Sequence, residues 1–138
     1  MIKVVPDTNI LIDWFRERKH SKLLFGPGLV RYLSSVVAME LYAGANSKKN
    51  REGVDRLYAI FEKTRRVLVP AKILFPKAGR VLDELRTKQG YDLKKSVSLS
   101  HDVLIALSAL SIGAIIITEN RKDFLAIRKI TGAQFSSP

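Results

Sequence analysis

The chain has 138 residues, which fits one domain (residues 1–138) and leaves no room for two full cores. It contains no cysteine, which excludes disulfide scaffolds and thiolate chemistry, and its two histidines, His20 and His101, lie too far apart to form a zinc motif. Lysine and arginine number 24 against 13 acidic residues, a net charge of +11 that favours a polyanionic partner such as nucleic acid.

No apolar run approaches the ~20 residues needed to cross a bilayer. No basic-then-apolar leader opens the chain, so cytoplasmic residence and no membrane partner are expected. Residues 2–5 read as a buried strand ended by Pro6, and apolar positions at Ile10, Leu11, Trp14 and Phe15 predict a helix over 10–19. A short helical piece over 22–25 ends at Gly26-Pro27-Gly28, and residues 29–33 make a second strand. Ser34 or Ser35 can cap a helix that runs to Gly44. Residues 46–52 are polar and read as a loop, followed by helical spacing at Val54, Leu57, Tyr58 and Phe61. A third strand over 67–69 is closed by Pro70, and an amphipathic helix over about 77–88 stops near Gly90. Ser98 or Ser100 opens a helix to Ser111, residues 114–118 form the most apolar strand, 121–129 a short helix and 133–135 an edge strand. Apolar strands alternating with helices imply an α/β domain with a central parallel sheet of four to five strands flanked by helices. Ligands of such sheets bind at the carboxyl ends of the strands, which is where Asp7 lies.

Other acids occur where a core should not welcome them. Glu40 interrupts the apolar helix before Gly44, Asp102 opens the helix ending at Ser111, and Asp123 follows the strongest strand by five residues. Singly, each has a structural explanation as a turn residue, helix cap, dipole partner or solvated side chain. Gathered in one pocket they would repel and raise one another's pKa, and a divalent cation relieves that cost. Carboxylates without sulfur or imidazole are hard ligands suited to Mg²⁺ or Mn²⁺. Such a centre in a basic protein suits phosphodiester hydrolysis, where the metal activates water and neutralises developing charge.

The segments "VPDTNILID", "SSVVAMELYAG" and "HDVLIALSALSIGAIIITENRKDF" occur in the order and at the separations of a known family. The chain resembles PIN domains, and within them the VapC-type ribonuclease toxins of toxin–antitoxin pairs, over essentially its whole length. The resemblance implies a compact domain with four or five parallel strands and cleavage of single-stranded RNA regions to 5′-phosphate and 3′-hydroxyl ends. It also implies a homodimer and a small antitoxin partner whose C-terminal segment covers the groove. It assigns Asp7, Glu40 and Asp102 as metal-binding catalytic acids, with Asp123 as the fourth. Asn120 stands where the family often has Asp, so Glu119 or Asn120 remains an alternative to Asp123. Asn9, Ser35, Thr118 and Asn120 match polar positions that support the acids.

Lys48, Lys49, Arg51, Arg121 and Lys122 are the candidate phosphate contacts, and His101 is expected to cap or face solvent rather than act as a base. Trp14 and Phe15 fit core or interface packing better than base stacking. The rival reading is a catalytically idle module of this fold that binds RNA or an antitoxin. A haloacid dehalogenase-type phosphotransferase would want Asp where Asn9 stands.

Overall fold

The computed structural model describes residues 1–96 and 98–138. Its centre is a four-stranded parallel sheet in the order β2 (Leu29–Arg31), β1 (Ile2–Pro6), β5 (Ile115–Ile117), β6 (Phe135–Ser136), once β3 (Leu33–Ser34) and β4 (Val67–Leu68) are numbered in chain order. β1 runs through the middle, pairing Val4 with Arg31 on one side and Val5 with Ile116 on the other. Val4, Val5, Ile116 and Ile117 are buried, as a sheet covered on both faces requires.

Seven helices surround it among the described residues: α1 (Thr8–Glu17), α2 (Ser21–Phe25), α3 (Ser35–Gly44), α4 (Lys48–Lys63), α5 (Leu74–Gln89), α6 (Leu99–Ser111) and α7 (Arg121–Thr131). α6 is the most deeply buried, with Val103, Ile105, Ala106 and Ala109 fully enclosed, and it packs against α5 and α7. Phe124 and Ile127 pin α7 to the same core. Gly90 and Gly132 end α5 and α7 at φ +73° and +77°, a left-handed turn that a β-carbon would disfavour.

Several expected boundaries differ, beginning with the first helix, expected over 10–19 and found two residues earlier at Thr8–Glu17. The strand expected over 29–33 divides after Arg31, and Leu33–Ser34 turns away to pair in parallel with Val67–Leu68 in a separate two-stranded sheet. The third expected strand is therefore not part of the central sheet, and Val69 lies exposed beyond it. Residues 48–52, expected in a loop, begin α4: Ser47 accepts a hydrogen bond from the Asn50 N–H at 3.1 Å, and the polar run is the solvated face of a helix. α5 starts at Leu74, three residues earlier than expected, because Pro76 falls in its first turn, where its missing N–H has no intrahelical partner to lose. β6 begins two residues later than the expected edge strand and ends one later.

Candidate active site

β1 and β5 are neighbours, so their carboxyl ends deliver Asp7 and Thr118 to one place. Asp7 continues the ladder through its N–H to the Ile117 carbonyl at 2.8 Å and caps α1. The residue is 5% exposed, and its carboxylate Oδ1 accepts from the Thr8 N–H and Oδ2 from the Thr118 hydroxyl, both at 2.8 Å. The Thr8 hydroxyl donates to Glu40 Oε1 at 2.7 Å, which ties α3 to the start of α1. Thr118 Oγ1 also accepts the Asn120 N–H at 3.0 Å. The Asn120 amide nitrogen then lies 3.1 Å from Asp123 Oδ2 and 3.5 Å from Asp102 Oδ2. Tyr91 completes the set by donating to Asp123 Oδ1 at 2.7 Å. One connected chain of polar contacts therefore links Glu40, Asp7, Asp102 and Asp123.

The electrostatics report the same convergence. Burial pushes the Asp102 carboxyl up to about 8, helped by the negative charges of Asp7, Glu40 and Asp123. Burial also raises Asp7, with Glu40 adding to the shift, while the hydrogen bonds from Thr118 and Thr8 oppose it. The charged groups acting on Asp7 and Asp102 are all carboxylates. Oxygen-only donors gathered in this way fit a hard divalent ion. The carboxylates do not close to a tight ligand set: among the described residues, the group whose ligand atoms all lie within 4.8 Å is instead Asp13, His20 and Glu119.

Of the supporting residues singled out in the sequence, Thr118 and Asn120 contact the acids, whereas Asn9 and Ser35 are placed differently. Asn9 is exposed, and its neighbour Thr8 makes the contacts to Asp7 and Glu40. Ser34, not Ser35, caps α3, accepting from the N–H groups of Val36 and Val37. Glu119 points away from the four acids, its Oε1 3.6 Å from His20 Nε2, so it is not drawn into their pocket. His101 neither caps nor simply faces solvent, because its Nδ1 lies 3.4 Å from Glu40 Oε2. Thr8 and Tyr91 carry no sequence signal of their own. Thr8 is hidden inside a capping tripeptide, and Tyr91 reaches Asp123 across 32 positions.

The basic candidates divide. Lys48, Lys49 and Arg51 sit in the first turns of α4, and Arg121 and Lys122 open α7, all exposed. Arg121 donates to the Ser137 hydroxyl at 3.1 Å. A groove between α1, α3 and α4 has an apolar floor of Ile12, Leu41 and Leu57 and a basic rim of Arg18, Lys49 and Arg56, and it reaches Glu40. Trp14 is half-buried beside it, packed on Phe25 and under the Arg18 guanidinium at 4.3 Å.

Comparison with known proteins agrees with this architecture. The family profile described as PIN domain matches residues 4–130. A ribonuclease VapC1 from Haemophilus influenzae is 31% identical over 135 residues, covering 94% of this chain and 92% of that protein. Among solved structures, VapBC-1 from nontypeable Haemophilus influenzae superposes with a TM-score of 0.68 at 30% identity, covering 99% of this chain and 98% of that one. A DNA-bound VapBC from Salmonella typhimurium gives 0.68 at 24% identity, covering 99% of this chain and 98% of that one, a likeness of fold. With the profile matched along most of the chain and a relative of 31% identity aligned over nearly the full length of both, the chain belongs to the PIN domain family.

Proposed function

We propose that this chain is a Mg²⁺- or Mn²⁺-dependent endoribonuclease acting as the toxin of a toxin–antitoxin pair. The observation that carries the reading is the convergence of Asp7, Glu40, Asp102 and Asp123 through Thr8, Thr118 and Asn120, with burial and the other three acids raising Asp102 to about 8. Its PIN family membership and its similarity to a protein named ribonuclease VapC1 support the same activity.

Asp7, Glu40, Asp102 and Asp123 would hold the ion. When bound, a hard divalent cation lowers the pKa of water and neutralises charge on a phosphoryl oxygen. The protein's own part is to fix those oxygens. Thr8 and Thr118 each donate to one Asp7 oxygen, which leaves each oxygen a further lone pair for a ligand. Asn120 and Tyr91 hold Asp123 from two sides. The basic rim formed by Arg18, Lys49 and Arg56 offers phosphate contacts beside Glu40, with Lys48, Arg51, Arg121 and Lys122 as outer contributors.

Similarity to chains solved as VapBC pairs supports a small antitoxin as partner. The apolar floor with a cationic rim suits an amphipathic acidic segment of such a protein. A homodimer working in the cytoplasm, with residues 1–138 as one functional domain, completes the reading, and no described helix is long and apolar enough to cross a membrane. The test is cleavage of single-stranded RNA by metal-stripped protein before and after Mg²⁺ or Mn²⁺ is restored. Cleavage that returns with metal in the wild type and not in Asp7→Asn supports the reading. Full cleavage by metal-loaded Asp7→Asn would refute it.

A further inference from the structure

Beyond the four acids lies a second group that could bind a ligand. Asp13 comes from the outer half of α1, His20 from the turn between α1 and α2, and Glu119 from the residue that follows Thr118 at the end of β5. His20 Nε2 lies 3.4 Å from Asp13 Oδ2 and 3.6 Å from Glu119 Oε1, and a ligand atom from each residue lies within 4.8 Å of the others. Both separations exceed the ~2.7–2.9 Å of a charge-assisted hydrogen bond, and a single ring N–H cannot aim along two lines at once. They do match the edge of a coordination tetrahedron, since metal bonds of about 2.1 Å place ligand atoms about 3.4 Å apart. The histidine side chain is 15% exposed, while Asp13 at 35% and Glu119 at 53% leave the outer side open to solvent. The nearby Lys19 ammonium is paired with Glu17 at 3.0 Å and acts on Asp13 and Glu119 only as a weaker, longer-range charge.

We propose that Asp13, His20 and Glu119 form a second divalent-cation site, separate from the four-acid pocket and selective for a borderline transition ion, with Zn²⁺ as its best-fitting occupant. One imidazole and two carboxylates with room for water are an N/O donor set that zinc accepts and that Mg²⁺, which prefers all-oxygen octahedra, does not favour. No spacing motif announces it, because the three ligands come from three separate parts of the chain. Its position gives it a consequence. Glu119 lies between Thr118, which holds Asp7, and Asn120, which contacts Asp102 and Asp123. An ion there fastens the corner between α1 and α2 to the segment that positions the acids.

The chain has only two histidines, so imidazole nitrogen NMR resolves the question directly. Zn²⁺ is titrated into the metal-free Asp102→Asn protein, which weakens the four-acid pocket, and into the same protein carrying His20→Gln or Glu119→Gln. The expected result is one equivalent of Zn²⁺ shifting the His20 ring signals while His101 stays in place, with the melting temperature rising by several degrees. Both added substitutions should remove the binding and the thermal gain, with the metal-free melting temperature within a few degrees of the parent. Glu119 is exposed, so its variant reports on binding even if His20→Gln unfolds. Shifts confined to His101, no shift at saturating Zn²⁺, or undiminished binding in Glu119→Gln would overturn the proposal.

Discussion

Asp102 concentrates the electrostatic cost of this fold. Its carboxyl ordinarily titrates near 3.8 and is raised to about 8 by burial and by Asp7, Glu40 and Asp123. Between those values the folded state keeps a proton that the unfolded chain has released, so raising the pH favours unfolding across that window. Metal-free protein should therefore lose stability steadily from about pH 4 to pH 8, and Asp102→Asn should flatten that slope in thermal melts. An identical slope in the variant would contradict the assignment. Tyr91 acts more locally. Removing its hydroxyl in Tyr91→Phe deletes the 2.7 Å hydrogen bond to Asp123, worth about 1 kcal/mol, which corresponds to about fivefold in cleavage rate. Single-turnover kinetics at saturating metal measure that loss, with circular dichroism confirming that the fold is kept. These residues also mark what one sequence can and cannot disclose. Asp7, Glu40 and Asp102 stand out because each is an acid in an apolar context. Thr8 and Tyr91 are ordinary in context, and only the packing of distant segments gives them partners.

At the scale of elements, the caps and strand ends carry the positioning. Ser34 is fully buried and its hydroxyl takes the first N–H groups of α3, the helix that presents Glu40. Ser34→Ala should cost about 1 kcal/mol in urea unfolding. It should also lower cleavage by loosening the register of α3, while a variant of Ser35 should change stability little. The strongest elements were readable because their apolar periods are long: α6 and β5 fall within a residue or so of expectation. The misread ones are those where tertiary pairing or capping overrides local pattern. The polar run at 48–52 hides a helix whose buried contact begins only at Val54, and the unbroken strand-like stretch from Leu29 to Leu33 conceals a change of sheets after Arg31. Two residues of parallel pairing leave too short a period to be seen in sequence.

At the scale of the whole molecule, a basic surface encloses an acidic pocket, and the two must act together on a polyanion. With a net charge of +11, RNA affinity should fall as salt rises, along a straight line on logarithmic axes. Lys49→Gln or Arg56→Gln should each reduce that slope by about 0.7, as expected for one lost phosphate contact on a single strand. Unchanged slopes in both variants would remove the groove rim from the binding surface. The central claim is that acids separated by as many as 116 positions, from Asp7 to Asp123, share one hard cation. Calorimetric titration of Mn²⁺ into metal-free His20→Gln protein, in which the second site is disabled, tests it most directly. The account predicts saturable binding that Asp7→Asn or Asp102→Asn each weaken at least tenfold; equal binding in all three proteins would contradict it.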